Sequence, residues 1–390
     1  MTPERSTSCC SAATCCLNAV SPAPVSRAEV RGPLLPGNNR WRRAALPGLA
    51  GRMDIERFAA DRDRESVRAC HEIYLSGGPA DDPHVPPLSL RSFAGWLVLG
   101  WTEDPSETWM ARNSAGQPCG WYLLTLPRRE NRHHAAVCPV VHDSRRRAGL
   151  GTALLRHAAE RAQRHGRTLL TAETREGSPG AAFAAALGAR RPATWSRRVL
   201  DLRAAPAGHM ARLRARAEPA ARGYSLLSWA GPVPGDWVAP VAAINAAMAD
   251  APLDAGHEAQ IWDAERVRQD DHRRAVQGWR SYAVAARPSA TGELAGLTQV
   301  SVDPAEPAWG LQELTAVAGP YRGHRLGLLV KVAMLELLAE REPQLTRIVT
   351  GNADGNAHMI AINDELGYTV LDRWPSWEME VARALAPPRD

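Results

Sequence analysis

The stretches VAGPYRGHRLG at residues 317–327 and VHDSRRRAGLG at residues 141–151 are two copies of one loop pattern. Each copy follows an apolar run typical of a β-strand and leads into a helix with one apolar stripe. Glycines let the backbone approach a ligand closely, and a helix N-terminus offers unpaired N–H donors with positive dipole character. The pattern therefore predicts a pyrophosphate cradle, although a glycine-containing turn before a helix is also a common plain connection.

The similarity continues outward from these loops and makes the chain an internal repeat. Arg146 follows the hairpin glycine Gly120 by 26 residues, and Arg322 follows Gly296 by the same 26 residues. After each loop the sequence predicts a long helix, a short strand, a helix that ends in Leu-Gly and a last β ribbon. Each half is thus predicted to run ββ, loop, α, β, α, ββ.

The length of the chain favours two domains, because 390 residues exceed what one compact core usually holds. We predict a disordered extension at 1–52, an N-terminal domain at 53–203, a linker at 204–222, a C-terminal domain at 223–383 and a tail at 384–390. The extension is rich in Ala, Pro, Ser and Arg and has no hydrophobic periodicity, whereas Met53 opens the first regular segment.

Charge and composition argue against several classes of protein. Residues 1–52 hold seven arginines and two glutamates, which accounts for the whole formal net charge of +5, so the neutral remainder is unlike a nucleic-acid-binding protein. No run of 18 apolar residues predicts a membrane span. The cysteines indicate neither a disulfide framework nor a metal site, and we expect a cytoplasmic protein. Lysine occurs once, at Lys331, which we attribute to codon usage rather than to chemistry.

The two loops resemble motif A of the GCN5-related N-acetyltransferases (GNATs), which binds the pyrophosphate of acetyl-CoA. Residues 317–327 match that motif with Arg325 at its first glycine position, and residues 352–359 and 362–368 look like motif B, beside the pantetheine arm. The layout also resembles that of tandem actinobacterial acetyltransferases of the mycothiol synthase type. The resemblance implies two tandem α/β domains, each a mixed, mostly antiparallel sheet flanked by helices. It also implies acetyl-CoA and an amine acceptor as partners of a monomer or homodimer.

In that family the fourth and fifth strands diverge, and the pantetheine lies between them like an extra strand. The resemblance therefore assigns acetyl-CoA contacts in the N-terminal half to Val140, Val141, His142, Arg146, Arg147, Gly149, Leu150, Gly151 and Thr152. In the C-terminal half it assigns them to Val317, Ala318, Arg322, Gly323, His324, Arg325, Gly327, Leu328, Asn352 and Asn356. The last two either hold the pantetheine amides or cap the following helix, since Asn is a common N-cap residue.

Acetyl transfer to an amine needs a base for the amine and a proton donor for the leaving thiolate. Family members often take the base from a Glu on the fourth strand and the donor from a Tyr four residues before a helix-ending Gly. The tyrosine positions hold Ala184 and Asn363 here, and the N-terminal fourth strand has no carboxylate. Glu313 is the one carboxylate of the C-terminal fourth strand, so we predict it as the base, with Gln312 placing a water or the substrate. A solvated strand residue is the alternative reading of Glu313.

The combined pattern predicts an acetyl-CoA-dependent N-acetyltransferase that acylates a primary amine of a small molecule or peptide. The transfer is expected to be direct and assisted by a general base. The alternative is a catalytically degenerate acyl-CoA-binding sensor or scaffold, which the absence of both tyrosines favours.

Overall fold

The computed structural model describes residues 53–100, 104–246, 258–291 and 293–387. The extension predicted at 1–52 lies outside the described residues, as do residues 388–390 of the predicted tail. Within the described part of the chain, no helix is both long and apolar enough to cross a membrane.

Within its described residues, the first half of the chain contains six strands and four helices. In chain order they are β1 Asp54–Phe58, α1 Arg64–Asp81, α2 Leu90–Leu99, β2 Ser106–Arg112, β3 Pro118–Thr125, β4 His134–Val141, α3 Leu150–Arg164, β5 Leu169–Glu173, α4 Pro179–Ala186 and β6 Thr194–Asp201. The loop pattern at 141–151 connects β4 to α3, and α4 is followed by Leu187 and Gly188, as the sequence predicts.

The second half repeats this order. It contains α5 His209–Ala217, β7 Tyr224–Ala230, α6 Val238–Ala246, α7 Ala264–Gln277, β8 Arg280–Pro288, β9 Gly296–Val302, β10 Trp309–Val317, α8 Leu326–Arg341, β11 Arg347–Ala353, α9 Ala357–Leu366, β12 Thr369–Glu380 and α10 Val381–Leu385. The residues predicted as a linker include α5, whose Leu213 and Ala217 join the apolar core beneath α8. The connection is therefore packed against the second half.

All twelve strands form one sheet, in the order β1-β2-β3-β4-β5-β12-β6-β11-β10-β9-β8-β7. Among the described strands only the pairs β4–β5 and β10–β11 run parallel, and every other neighbouring pair is antiparallel. The predicted α/β class with mixed, mostly antiparallel pairing is confirmed.

The two halves exchange their last strands at the centre of the sheet. Residues 369–375 of β12 pair with β6, residues 376–380 pair with β5 of the first half, and β6 pairs along its whole length with β11 of the second half. Each half thus ends in one strand, and the two-strand ribbon predicted for each end is wrong. The exchange covers the edges of β5 and β11, which would otherwise present unpaired backbone groups.

Helices cover both faces of the sheet. In the first half, Tyr122 and Leu124 of β3 pack against α3, while the alternate residues Trp121 and Leu123 pack against α1 and α2. The second half repeats the arrangement, with α8 on one face and α6 and α7 on the other. Because α2 contacts α7, the helices α1, α2, α6 and α7 share one face of the continuous sheet.

Candidate functional site

A fork between two parallel strands lies in each half of the sheet. β10 pairs with β11 through three residue pairs that end at Leu311 and Val349, and beyond them the strands diverge. β4 and β5 likewise pair only through residues 134–136 and 169–171. The later residues of β4 and β10 therefore have an open edge, where an extended molecule can add as a further strand.

Backbone groups of β10 point into its fork at two positions. Ala318 donates its N–H to the oxygen of Ala295 at 2.9 Å, which fixes the direction of the backbone groups at the end of the strand. Because successive residues of an antiparallel pair point alternately toward the partner and away from it, the N–H groups of Val317 and Thr315 face the gap. The C-terminal fork thus offers two neighbouring donors on one edge.

The N-terminal fork lacks one of these donors. His142 donates its N–H to the oxygen of Cys119 at 3.0 Å, so by the same alternation Val141 and Pro139 face the gap. Proline has no N–H, and a strand tolerates it only where no ladder hydrogen bond is needed. Pro139 of the first half, which occupies the position equivalent to Thr315, therefore presents a backbone carbonyl to the gap but no N–H donor.

A β-bulge distinguishes the C-terminal fork from the N-terminal one. The register of β10 against β9 shifts between Gln312 and Leu314, so Glu313 is an extra residue, whereas β4 pairs with β3 without a shift. Bulges often lie beside active sites, because they re-aim side chains and end regular pairing. The bulge begins one residue after Leu311, at the apex of the fork.

The loops that follow the two strands adopt the same backbone. Two residues in each have a left-handed conformation: Arg147 (φ 64°) and Gly149 (φ 82°) in one, Gly323 (φ 88°) and Arg325 (φ 54°) in the other. Each loop therefore places arginine where its counterpart has glycine. A left-handed arginine costs about 1–2 kcal/mol, and such strain is often found at ligand sites.

The helices that begin at these loops have open N-termini. Among the residues that the structure describes, no side chain caps α3 or α8, whereas side chains cap α1, α2, α4, α7 and α9. The first N–H groups of a helix have no partner within it, so those of residues 150–152 and 326–328 are available to an anion. Both loops have the geometry expected of a phosphate cradle.

Three of the side chains predicted to contact the cofactor, those of Arg146, Arg322 and His324, bond to the protein. Arg146 forms two hydrogen bonds with Asp81 of α1, at 3.1 and 2.7 Å, and Arg322 donates to the oxygen of Val317 at 3.2 Å. His324 lies 3.1 Å from the oxygen of Ala220. The loop backbone is therefore the part of each loop that is arranged for a ligand.

The two asparagines of the second half have different environments. Asn356 is the N-cap of α9, where its Oδ1 accepts the N–H of Met359 at 3.2 Å. The buried Asn352, on the divergent part of β11, accepts a 2.7 Å hydrogen bond from Nδ2 of Asn363. Only Asn352 thus belongs to a side-chain network beside the fork.

That network contains the single lysine of the chain. Nζ of Lys331 donates to Oδ1 of Asn363 at 2.7 Å and lies 4.9 Å from the ring centre of Tyr368. The lysine is 2% exposed, and burial lowers its pKa from 10.5 to about 7. Attributing Lys331 to codon usage missed this placement, and its uniqueness in the sequence was the available signal.

Glu313 is held in a buried ion-pair cluster. Its Oε2 accepts from Arg273 at 3.0 Å and from Arg274 at 2.9 Å, and Ser301 donates to its Oε1. The side chain is only 4% exposed, so the alternative reading as a solvated strand residue is wrong. The same arginines also bond Asp270 and Asp271, so Glu313 is one of three carboxylates in the cluster, and its oxygens already accept hydrogen bonds from protein groups.

Gln312 is also committed within the protein. Its Nε2, which carries two hydrogens, lies 3.0 Å from Thr298 Oγ1, 2.6 Å from the oxygen of Gln299 and 2.8 Å from the oxygen of Leu314, and these acceptors engage both hydrogens. These contacts join the two sides of the bulge. In this geometry Gln312 stabilises the irregular strand, and its amide nitrogen is not available to place a water.

Known proteins resemble this chain in sequence and in fold. The sequence model of the acetyltransferase (GNAT) family matches residues 67–189. A solved tandem GNAT protein from the clavulanic acid biosynthesis pathway is 32% identical, with a TM-score of 0.69 over 87% of this chain and 100% of that one. A GCN5-related N-acetyltransferase from Sphaerobacter thermophilus shares the fold at 16% identity and a TM-score of 0.58, over 84% of this chain and 96% of that one. No curated protein matches the sequence.

Proposed function

Because the chain belongs to the GCN5-related N-acetyltransferase family as a tandem of two such domains, we propose that it transfers an acetyl group from acetyl-CoA to a primary amine of a small molecule or peptide. The family and the fold support acetyl transfer in general. Acetyl-CoA as donor and an amine as acceptor are the specific parts of the proposal. We retain 53–203 and 223–383 as the proposed limits of the two domains, with their last strands exchanged.

The residues of both loops fit acetyl-CoA. The open helix N-termini at 150–152 and 326–328 suit its pyrophosphate, and the open edges of β4 and β10 suit the amides of its pantetheine arm. Bound acetyl-CoA would supply an activated acyl group as a thioester. The protein supplies the hydrogen-bond donors that hold it and the walls that position the amine.

The observation that carries the proposal is the C-terminal fork. It has the backbone N–H groups of both Thr315 and Val317 facing the gap and a bulge at its apex. The N-terminal fork has Pro139 in place of one donor and no bulge. A backbone N–H at a fixed position can stabilise negative charge that develops on a thioester oxygen during transfer. We therefore assign the chemistry to the C-terminal half and a binding role to the N-terminal half.

Lys331 is the proposed positioning residue of this fork. By donating to Asn363, which stands where the family often has tyrosine, it fixes the amide that reaches Asn352 on β11. Its pKa of about 7 means that the charge on Nζ changes near neutral pH. The C-terminal activity should therefore vary with pH around 7 even when the amine itself is already neutral.

A sensor or scaffold without turnover is the second candidate function. The ion pairs of Glu313 support it, because they engage the one carboxylate that the sequence offers as a base on the C-terminal strand. In this case acetyl-CoA would bind at the forks and no amine would consume it. Amine-dependent release of CoA distinguishes the two functions.

The decisive variants exchange residues between the forks. Thr315→Pro reproduces Pro139 and removes the N–H that faces the C-terminal gap, while Thr315→Val keeps that N–H and serves as the control. We expect amine-dependent CoA release by Thr315→Pro to fall on the order of 10²-fold, the typical effect of losing an oxyanion donor. Thr315→Val should stay near the wild-type rate, and Pro139→Thr should not reduce turnover.

The assay is thiol release from acetyl-CoA with a panel of primary amines, alongside calorimetry of acetyl-CoA binding. A wild-type protein that binds acetyl-CoA but releases no CoA with any amine would establish the sensor instead. Turnover that survives in Thr315→Pro but disappears in a Gly151→Glu variant would move the chemistry to the N-terminal half.

A further inference from the structure

A cavity of about 240 Å³ lies against the sheet at the apex of the C-terminal fork. Leu311 and Val349, the last paired residues of β10 and β11, line it. The loop at 319–327 lies beyond the opposite, C-terminal end of β10. A pantetheine arm that runs from that loop along β10 would therefore end where the cavity begins.

Both halves of the chain build the cavity. Its apolar lining includes four tryptophans, Trp195, Trp279, Trp309 and Trp374, and the segment Val85–Leu88 between α1 and α2 contributes the facing wall. Trp195 and Trp374 stack with ring centres 5.6 Å apart and 22° between the planes. Such flat walls suit a planar or aromatic ligand of small size.

The charges around the cavity are mainly negative. Arg197 is its one lining cation among the described residues, and it is neutralised by Asp82, at 2.6 and 2.8 Å, and by Asp372 behind the wall. Two further lining carboxylates, Asp303 and Glu306, form no ion pair with any residue in the described part of the chain. A cation is the ligand that this balance favours.

Asp303 is held in a fixed orientation. Its Oδ2 accepts hydrogen bonds from Ser89 Oγ at 2.8 Å and from Ser92 Oγ at 2.6 Å, at the start of α2. Ser301, two residues earlier, lines the cavity and donates to Glu313 at the bulge. The cavity and the bulge of the fork are thus separated by one serine side chain.

We infer that this cavity binds the acceptor, a primary amine that arrives as an ammonium on a small aromatic or planar apolar body. The tryptophans would contact the planar body, and Asp303 and Glu306 would attract the charge of the ammonium. The inference rests on the proposed function, since it gives that function its substrate class. It also gives the N-terminal half a role at the C-terminal fork, since that half contributes Trp195 and Val85–Leu88 to the lining.

Calorimetry with the full-length protein tests this without turnover. The probes are 2-phenylethylamine, its neutral counterpart 2-phenylethanol, and n-hexylamine, which keeps the ammonium without the ring. We expect 2-phenylethylamine to bind at one site, at least about tenfold more tightly than either other probe, because charge-assisted contacts and ring contacts each contribute about that factor.

Glu306→Gln is the main variant, because the Glu306 side chain makes no hydrogen bond or ion pair with another described residue and its loss should not disturb the fold. Asp303→Asn is the second variant, and Glu340→Gln, at an exposed carboxylate of α8 outside the cavity, is the control. Each cavity variant should weaken the binding of 2-phenylethylamine by about tenfold and leave the binding of 2-phenylethanol unchanged. If Asp303→Asn lowers the melting temperature, the test of the ammonium site rests on Glu306→Gln alone.

The outcomes separate the inference from the proposed function. Binding of 2-phenylethylamine that Glu306→Gln weakens, without CoA release from acetyl-CoA, supports the cavity and rejects the transferase. If 2-phenylethylamine and 2-phenylethanol bind equally, or if Glu306→Gln has no effect on binding, the cavity is rejected as an ammonium site. CoA release with other amines would then still support the transferase. If n-hexylamine binds as tightly as 2-phenylethylamine, the inferred preference for an aromatic body is rejected.

Discussion

Replacement of Lys331 by methionine should stabilise the protein at neutral pH. The change removes a buried charge and keeps the length and flexibility of the side chain. Lys331 is 2% exposed, and the described contacts of its Nζ are neutral: a hydrogen bond to Asn363 and the ring face of Tyr368. Burial, the one cause of the shift, lowers the lysine pKa from 10.5 to about 7.

The magnitude follows from that pKa. At 1.36 kcal/mol per pH unit, the difference between 10.5 and about 7 corresponds to a cost of about 5 kcal/mol at pH 7 and below. Methionine leaves Asn363 Oδ1 without its donor, which costs about 1–3 kcal/mol, and the lost cation–ring contact costs about 1–2 kcal/mol. We therefore expect Lys331→Met to raise the free energy of unfolding by up to about 3 kcal/mol at pH 7.

The pH dependence identifies the lysine as the cause. Because the folded pKa lies below the unfolded one, the unfolded chain binds more protons between pH 7 and 10.5, and wild-type stability gains with pH in that window. Urea unfolding at several pH values should show that the stability advantage of Lys331→Met over the wild type shrinks above pH 7. It should vanish or reverse near pH 10.5. Arg341→Met, at an exposed cation on the same helix, is the control and should show no such trend. A difference between variant and wild type that stays constant from pH 7 to 10.5 would refute the reasoning.

Three further predictions concern the bulge, the loop and the exchanged strands. Glu313→Gln should lower the free energy of unfolding, measured in urea, by about 1–3 kcal/mol, because Arg273 and Arg274 lose one counter-charge and keep those of Asp270 and Asp271. A variant of normal stability and reduced turnover would restore Glu313 as a base. Arg325→Gly should raise the melting temperature by relieving about 1 kcal/mol of left-handed strain, whereas Arg325→Ala should not, and equal effects of the two would count against strain. Residues 53–203 expressed alone should elute as aggregates in size-exclusion chromatography because β5 loses β12; a monodisperse monomer would contradict this.

The loops show how far local sequence information extends. Spacing and glycine placement predicted that helices begin near Leu150 and Leu326, and the structure has α3 and α8 beginning there. These features depend on backbone conformation and helix periodicity, which neighbouring residues determine. The exchange of Arg and Gly between the two left-handed positions is also visible in the sequence once the repeat is aligned.

The catalytic assignment shows where that information ends. Glu313 was predicted as a base from its strand and its charge, but its partners Arg273 and Arg274 come from a helix about 40 residues earlier. Nothing in the strand pattern indicates which side chains will cover it. The role of a buried carboxylate depends on those partners, because they decide whether it is available to accept a proton.

The sequence by itself determined the tandem α/β architecture, the two loops and the helices that begin at them, since each depends on residues close together in the chain. Only the tertiary structure decided the exchange of β6 and β12, the burial of Lys331 and the cavity at the C-terminal fork. Each of these brings together residues far apart in sequence, and the pairing of long-range strands and the burial of charge are decided by the packing of the whole sheet rather than by local preference.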